Sequence, residues 1–423
     1  MHSVRVAGSD EGTGLAIVSA SRAASGGKYL SCRFLERAAT FYPGRVTACC
    51  ANPATGLTPV VAPFTGELSV DQLLEGRAKI IARHKRGDIV PECQRCPRLT
   101  EADWAAENVG PYAVDEVTIA HFTSCNIRCN YCYTVTEPDM KAPLSKAPRL
   151  LPVFEQMIEQ KLLAPDATVR FSGGEPTLSP EFEPLLTLLN NYGVRSVVYT
   201  NATKRSEAII EALERDQVEL ILGIDAASVA VYKAIKKMNY NEKVWKVVAE
   251  YCAATRPDAF NRVWAKFIFC LENYHEAEDF VRRAEAAGVR YVHYDFDSSR
   301  VRPGSERAGI ELPEEVTDYV AVLRHECMKR GIVVEFAESG LTWLTPERVD
   351  RVERALERLA DGSENGSLTK SLAPAGSKAD LLKLSLFAAQ AGLFWFTPES
   401  LKSIGRELDA ATLMRPVATQ ANH

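Results

Sequence analysis

Short apolar runs alternate with amphipathic segments through the middle of the chain. The apolar, β-branched runs lie at 117–122, 168–171, 196–200, 218–224, 263–270 and 291–296. Segments with helical spacing of apolar residues lie between most of them, at 151–163, 180–191, 204–215, 241–254 and 275–287. This alternation is typical of βαβ units, whose parallel strands are buried on both faces and read as continuous apolar runs. Six such units predict a partial (β/α)6 TIM-like barrel rather than a closed eight-stranded one.

The flanking regions have different patterns. Residues 1–105 contain a hairpin pattern at 40–48 around Pro43-Gly44, a Gly-, Pro- and Thr-rich stretch at 52–66, and a helical pattern at 70–87. Beyond 311, helical patterns lie at 313–330, 346–361, 379–391 and 398–410, with a linker pattern at 362–378. We therefore predict three domains: a module at 1–105, the barrel at 106–305 and a helical C-terminal region at 306–423.

Composition narrows the class of protein. The 423 residues are 46% hydrophobic and 25% charged, with a net charge of −5 and no long basic run, which argues against general nucleic-acid binding. No apolar stretch approaches the roughly 18 residues of a membrane span, and the first residues do not resemble a signal peptide. We therefore expect a cytoplasmic protein. Its 11 cysteines are clustered toward the N-terminal side, and in a reducing compartment such clusters more often bind metal than form disulfides.

One short loop concentrates three of these cysteines. Cys125, Cys129 and Cys132 follow the first predicted barrel strand with the spacing C-x3-C-x2-C. Three thiolates on one loop can bind an iron–sulfur cubane and leave one iron open to a small chelating molecule. The carboxyl end of a barrel strand is also where such folds carry their chemistry. The spacing alone leaves a zinc site, or three unrelated thiols, as alternatives.

Together with Tyr131, this loop resembles the signature of the radical S-adenosylmethionine (radical SAM) enzymes. Gly173-Gly174-Glu175-Pro176 after the second strand resembles the GGEP motif of that family, and Thr200-Asn201-Ala202 after the third resembles its Thr-Asn-Gly. Asp225 ends the fourth strand as the aspartate of the family's Ser-x-Asp does, although Gly223 departs from that pattern. A helix N-cap is the alternative for Asp225.

The resemblance implies a cofactor and a chemistry. The open iron of a 4Fe–4S cluster would chelate S-adenosylmethionine, and one electron would split it to give a 5′-deoxyadenosyl radical. Tyr131 would lie near the adenine. The remaining residues implied to bind the cofactor are Gly173, Gly174, Glu175, Thr200, Asn201 and Asp225.

Four earlier cysteines resemble part of a second module. Cys32, Gly44 and Cys49, followed by the C-x2-C of Cys93 and Cys96, are similar to the start of the SPASM/Twitch modules of many radical SAM enzymes. The resemblance implies one auxiliary 4Fe–4S cluster on these four cysteines, with Cys50 as a substitute for Cys49. Here the module precedes the barrel instead of following it. A structural zinc site is the main alternative, because four cysteines suit tetrahedral zinc equally well.

Polar residues near the last two strands are candidates for contact with substrate. Cys270 is a candidate donor of a hydrogen atom, against the alternative of an inert buried thiol. The other candidates are Asp295, Asp297, Arg300, Lys266 and Asn273, against the alternative of a solvated loop with a local ion pair. We interpret His121 as a structural histidine close to the cluster loop.

The function expected is that of a radical SAM enzyme acting on a small molecule or a peptide. A reductant such as flavodoxin or ferredoxin would supply the electron. Residues 1–31 are short for the peptide-recognition domain of peptide-modifying relatives, which favours a small molecule, a nucleotide or a sugar. A peptide-modifying (RiPP-type) maturase is the alternative. A non-catalytic iron–sulfur or zinc protein would not need the GGEP motif.

Overall fold

The structure is a computed structural model that describes residues 27–49, 56–107, 112–136, 141–256, 263–301, 305, 307–336, 343 and 345–361. Its strands in chain order are β1 (Tyr29–Ser31), β2 (Ala38–Tyr42), β3 (Gly44–Thr47), β4 (Val60–Phe64), β5 (Thr100–Ala102), β6 (Val114–Ile119), β7 (Leu163–Phe171), β8 (Arg195–Thr200), β9 (Val218–Gly223), β10 (Val263–Phe269), β11 (Tyr291–Phe296) and β12 (Val333–Phe336). Its α-helices are α1 (Arg33–Arg37), α2 (Val70–Lys85), α3 (Trp104–Glu107), α4 (Tyr133–Thr136), α5 (Leu151–Glu159), α6 (Phe182–Tyr192), α7 (Glu207–Glu214), α8 (Val229–Lys236), α9 (Asn241–Ala254), α10 (Ala277–Ala286), α11 (Val316–Lys329) and α12 (Pro346–Asp361).

Contacts divide the chain into two compact units. The first comprises 1–127, 137–222 and 253–263, and the second comprises 128–136, 223–252 and 264–423. The chain therefore passes between the units several times. The three domains predicted from the sequence stay a prediction.

The first unit contains a mostly parallel sheet with the strand order β4-β3-β2-β6-β7-β8-β9. Strands β2 and β6 to β9 run parallel, whereas β3 and β4 are antiparallel additions. The hairpin predicted around Pro43-Gly44 is formed by β2 and β3, and Gly44 adopts a φ of +75° at the turn. Because β2 pairs with β6, the N-terminal region at 1–105 contributes a strand to the sheet that contains the first predicted barrel strand.

A buried arginine ties α2 to this sheet. Ser69 begins α2 with a capping box, and Arg77 lies on the buried face of the helix. The Arg77 guanidinium donates to the carbonyl oxygens of Glu36, Ala38 and Ala113, at 3.3, 2.6 and 2.9 Å. Each accepted bond satisfies a backbone oxygen near the start of β2 or β6. Helix α2, predicted at 70–87, therefore holds the first residues of β2 and β6 in place.

The second unit contains the parallel strands β10, β11 and β12, in that order. Phe267 of β10 packs against Phe280 of α10, with ring centroids 4.7 Å apart. Helices α11 and α12 pack against each other and match the helices predicted at 313–330 and 346–361. The predicted helices at 379–391 and 398–410 and the linker at 362–378 lie outside the described residues.

The protein thus has a mixed α/β fold with a large, mostly parallel sheet. The six predicted strands correspond to β6 through β11, and the direction of the strands in each unit agrees with a partial (β/α)6 barrel. Strands β2 and β12 add parallel neighbours that the sequence did not predict. Among the helices that the structure describes, none is long and apolar enough to cross a membrane.

Candidate cluster and cofactor site

The turn at Gly173-Gly174 after β7, here called the glycine turn, is hydrogen-bonded to the segment that precedes Cys125. Residues 125–132 are called the cysteine loop. The backbone N–H of Gly174 donates to Phe122 O at 2.8 Å, and that of Glu175 donates to Ser124 O at 2.9 Å. Gly173 has a φ of +87°, and a Cβ on Gly174 would lie 2.2 Å from Ser124 O. Only glycine fits so close to another backbone. The turn therefore holds the chain immediately before Cys125.

Glu175 links the ends of β7 and β8. Its carboxylate is 2% exposed and accepts from the backbone N–H and the hydroxyl of Thr177, the hydroxyl of Thr200 and the backbone N–H of Asn201. Burial raises the pKa of Glu175, and these four donors act in the opposite direction. Both carboxylate oxygens are thus used within the protein. Contact of Glu175 or Thr200 with the cofactor stays a prediction.

Asn201 connects the end of β8 to the first cysteine. Its Oδ1 accepts from the backbone N–H of Thr203 at 2.9 Å, which orients the amide. Its Nδ2 then donates to Asn126 Oδ1 at 2.9 Å and to Cys125 Sγ at 3.6 Å. Ala202, where the family has glycine, adopts a φ of +56°. The local backbone therefore keeps the conformation for which glycine is suited, although the residue differs.

Tyr131, Asp225 and Lys236 form a buried polar cluster in the second unit. The Tyr131 hydroxyl donates to Asp225 Oδ2, and Lys236 Nζ donates to the Tyr131 oxygen at 2.8 Å and forms an ion pair with Asp225. Asp225 and Lys236 are 0% and 1% exposed. Asp225 Oδ1 also accepts from the backbone N–H of Ile268 at 2.7 Å. Since Ser228 is the N-cap of α8, Asp225 is not a helix cap, contrary to the alternative considered above.

The Asp225 carboxylate affects the protonation of both Lys236 and Tyr131. Burial alone would lower the pKa of Lys236, but the Asp225 carboxylate raises it above its usual value, so the ammonium stays charged. Burial, together with Asp225, raises the pKa of Tyr131, which keeps its proton. Lys236 was not predicted from the sequence. The available signal was its position one helical turn after the buried Tyr232, on the apolar face of α8.

The second half of the cysteine loop is held by the end of α8. The backbone N–H groups of Arg128 and Asn130 donate to the carbonyl oxygens of Lys236 and Ile235, each at 3.0 Å. The Asn130 side chain donates to Glu272 Oε1 at 2.8 Å. These bonds use carbonyl oxygens that the end of a helix leaves without intrahelical partners. The backbone between Cys125 and Cys132 is therefore fixed at several points.

The candidate substrate residues after β11 take part in an ion-pair network. Arg307 donates to Asp297 Oδ2 at 2.7 Å and to Glu272 Oε1 at 3.0 Å. Arg300 donates to the carbonyl oxygen of Asp297, and its Nη1 has no hydrogen-bond partner among the described residues. Lys266 and Asp295 form a separate ion pair, in which Lys266 Nζ lies 3.4 Å from Asp295 Oδ2. Contact of these residues with substrate stays a prediction.

Cys270 is enclosed by its surroundings. The side chain is 0% exposed, its Sγ donates to Ile268 O at 3.3 Å, and burial raises its pKa well above the usual value. Asn273 accepts from the backbone N–H of Cys270 and donates to Asp225 O, so it acts as a structural link. A donor of hydrogen atoms must reach its substrate. The proposed role of Cys270 therefore requires the structure to open at this point and stays a prediction.

His121 lines a cavity of about 310 Å³, part of it open solvent, together with Phe122, Pro176 and Glu181. It is 5% exposed, and its Nδ1 has no hydrogen-bond partner within the described ranges. Burial lowers its pKa to about 4, so the ring is neutral at pH 7. The ring packs edge-on against Phe122, with centroids 5.0 Å apart. His121 thus supports the segment before the cysteine loop by packing.

The four N-terminal cysteines line one cavity in the first unit. Cys32, Cys49, Cys93 and Cys96 all border about 350 Å³ of empty space, part of it open solvent. Cys32 Sγ also accepts from the Leu35 backbone N–H at the start of α1. Burial raises the pKa values of Cys32 and Cys93 to about 11 and about 12. Cys50, the possible substitute, lies outside the described residues.

The geometry of the donors bears on the choice between zinc and a cluster. In the part of the chain that is described, no three His, Cys, Asp or Glu side chains converge as a single metal ion requires. A tetrahedral zinc ion draws its ligands to one point, whereas a cubane binds each thiolate at a different iron. The auxiliary cluster on these four thiols stays a prediction, with zinc as its alternative. All seven candidate ligands have the soft sulfur donors that iron–sulfur clusters use.

Comparison with known proteins agrees with the motifs. The family model of the radical SAM superfamily matches residues 119–284. The GTP 3′,8-cyclase of Synechococcus elongatus is 26% identical over 172 residues, 40% of this chain and 51% of that protein. The S-adenosylmethionine-dependent nucleotide dehydratase of Flammeovirga pacifica is 24% identical over 131 residues, 30% of this chain and 43% of that protein. The matches thus span about half or less of these relatives.

Among solved structures, Streptococcus suis SuiB bound to the precursor peptide SuiA is similar over 64% of this chain and 56% of that chain, at 12% identity and a TM-score of 0.42. The family match is the stronger finding. It contains the three-cysteine loop, the glycine turn after β7 and the ends of β8 and β9. Residues 119–284 of this chain thus match the radical SAM superfamily.

Proposed function

We propose that this protein uses a 4Fe–4S cluster on Cys125, Cys129 and Cys132 to cleave S-adenosylmethionine and abstract a hydrogen atom from a substrate. One observation carries the proposal. The glycine turn after β7 is bonded to the segment before Cys125, and the Asn201 amide after β8 is bonded to the Cys125 sulfur. Adjacent parallel strands thus support the start of the loop at their carboxyl ends, where such folds carry their chemistry.

The residues of the site act by binding and orientation. When bound to the cluster and reduced by one electron, S-adenosylmethionine supplies a 5′-deoxyadenosyl radical. The absence of side chains at Gly173 and Gly174 allows the backbone at Phe122 and Ser124 to pack closely against the turn, which holds the segment before Cys125. The Asn201 amide holds Cys125, and Asp225 and Lys236 fix the Tyr131 hydroxyl. The protein thereby orients the reactants, while the cofactor supplies the difficult chemistry.

An auxiliary 4Fe–4S cluster on Cys32, Cys49, Cys93 and Cys96 is the second part of the proposal. The shared cavity of about 350 Å³ supports it. A structural zinc ion at the same residues is the alternative.

For the substrate, we propose a small molecule and place nucleotides first. The two named relatives are a GTP cyclase and a nucleotide dehydratase. A peptide, as in a RiPP-type maturase, is the alternative. A flavodoxin or ferredoxin would supply the electron, since the reaction needs a one-electron reductant. Incubation with a set of nucleoside triphosphates, followed by mass spectrometry of the products, compares these substrate classes with a peptide library.

The test of the catalytic cluster is formation of 5′-deoxyadenosine. The purified protein is reconstituted anaerobically with iron and sulfide, reduced with dithionite and given S-adenosylmethionine. We expect 5′-deoxyadenosine from the wild type and none above background from Cys125→Ala. Equal amounts from both proteins would refute the proposed chemistry and favour a non-catalytic iron–sulfur or zinc protein.

Iron and sulfide counting separates the two clusters. At four irons per cubane, the wild type should hold about eight irons, and Cys93→Ala or Cys125→Ala about four. Cys252→Ala, which removes a cysteine outside both predicted sites, is the matched control and should keep the wild-type count. About four irons plus one zinc in the wild type would instead identify the N-terminal site as zinc.

A further inference from the structure

A buried ion pair lies beside the second half of the cysteine loop. Lys236 and Asp225 are 1% and 0% exposed and share the hydroxyl of Tyr131, which stands between Cys129 and Cys132 in sequence. The carbonyl oxygen of Lys236 also accepts from the backbone N–H of Arg128, the residue before Cys129. We infer that Lys236 and Asp225 are positioning residues that set the reduction potential of the cluster, Lys236 favouring the reduced state and Asp225 opposing it.

The inference deepens the proposed function and rests on the cluster at Cys125, Cys129 and Cys132. Reduction adds one negative charge to the cluster. A neighbouring positive charge stabilises that state, whereas a neighbouring negative charge destabilises it. Because both side chains are enclosed, water screens their fields less than it would screen surface charges. Two opposite charges near one ligand should therefore have opposite effects on the potential.

The contacts also fix the distance between the ion pair and the loop. The carbonyl oxygens of Ile235 and Lys236 accept from Asn130 and Arg128 of the loop, each at 3.0 Å. The Lys236 ammonium bonds to Tyr131 at 2.8 Å. Both the backbone and the side chain of Lys236, at the end of α8, are thus hydrogen-bonded to the loop. The charge cannot move away from the loop without breaking these bonds.

Stability alone does not explain the pair. Replacing a buried ion pair by apolar residues of similar volume is often neutral or stabilising, because both charges lose their hydration on burial. A pair that served only to hold the fold would affect the potential little beyond a general loosening of the site. A pair that acts on the cluster would shift the potential in opposite directions when one or the other charge is removed.

The experiment is an anaerobic redox titration of the reconstituted full chain, followed by electron paramagnetic resonance. Only the part of the signal that changes on addition of S-adenosylmethionine is analysed, which selects the cluster with the open iron. At the wild-type midpoint, we expect Asp225→Asn to raise the ratio of reduced to oxidised cluster by roughly threefold or more, and Lys236→Met to lower it by a similar factor. The double variant should return to within about twofold of wild type, because both charges are gone.

Lys233→Met is the matched control. Lys233 lies on the same helix, α8, and is exposed, so its removal changes the formal charge equally without touching the cluster loop. We expect no shift from it. Tyr131→Phe in the wild-type background removes the shared hydroxyl and keeps both charges, so it should move the potential less than either charge variant.

Each outcome decides the matter. Shifts of the two single variants in the same direction, or no shift in either, would overturn the inference. If Lys236→Met fails to bind the cluster, Asp225→Asn and the double variant decide, and an unchanged potential in Asp225→Asn overturns it. A wild type without a signal that responds to S-adenosylmethionine refutes the proposed function as well. Formation of 5′-deoxyadenosine with unmoved potentials refutes this inference alone.

Discussion

The side-chain amide of Asn201 donates a hydrogen bond to the sulfur of Cys125 over 3.6 Å. Asn201 follows β8, and Cys125 opens the cysteine loop after β6. The amide can face the sulfur because Thr203 holds its oxygen through both the backbone N–H and the hydroxyl. The end of β8 thus bonds directly to Cys125, a predicted cluster ligand that follows β6, and β6 lies two strands from β8 in the sheet.

We expect Asn201→Ala to weaken the catalytic cluster. Hydrogen bonds to ligand sulfurs stabilise the bound cluster, and loss of such outer partners typically costs about 10- to 100-fold in metal affinity or activity. The rate of 5′-deoxyadenosine formation should fall roughly tenfold, with less iron bound per chain. Asn191→Ala, at an exposed position on α6, is the control and should match wild type. A rate for Asn201→Ala within about twofold of wild type would contradict the role of this bond.

Gly174→Ala should separate the glycine turn from the cysteine loop. The new Cβ would lie 2.2 Å from Ser124 O and 2.9 Å from the Phe122 ring, and the first of these atoms is backbone. Overpacking of this kind costs about 1–3 kcal/mol, and here the strain falls on the segment before Cys125. We expect a lower urea midpoint and loss of most S-adenosylmethionine binding. At Gly66 a Cβ meets nothing within 4 Å, so Gly66→Ala should leave both measurements unchanged.

Glu175→Gln should destabilise the link between β7 and β8. Four donors face the Glu175 carboxylate, so the amide nitrogen of glutamine would oppose at least one of them. An unsatisfied buried group costs about 1–3 kcal/mol, which predicts a corresponding fall in the free energy of unfolding in urea. Glu211→Gln, at an exposed position on α7, controls for the loss of one charge. Equal stabilities of the two variants would show that the donors are not essential.

Much of the fold could be predicted because the central strands are buried on both faces. Their continuous apolar runs identified β6 through β11, and the Pro43-Gly44 turn identified the hairpin of β2 and β3. The parallel pairing of β2 with β6 was missed, since pairing across a long sequence separation leaves no local signal. Strand β12 was missed because it is four residues long and none of them is fully buried.

The site could be predicted only as far as its motifs extend. The cysteine loop and the glycine turn are local patterns, so their residues were identified from the sequence. Lys236 has no motif, and its ion pair with Asp225 depends on how α8 returns to the end of β9. The enclosure of Cys270 depends on tertiary packing, which a position after a strand does not specify. Periodicity therefore located the strand ends, while packing decided which side chains meet there.

Acid should destabilise the protein through His121. Its ring is 5% exposed, and burial lowers its pKa to about 4, whereas an unfolded histidine titrates near 6.5. Between these pH values the unfolded chain binds a proton that the folded chain does not, so stability falls as pH decreases from about 6.5 to about 4, by about 3 kcal/mol. Urea midpoints measured across this range should decline less steeply for His121→Phe, which also removes the unpartnered Nδ1. His84 and His293 share the direction of shift and contribute to the background slope common to both proteins. A His121→Phe slope equal to wild type would contradict the burial of a neutral ring.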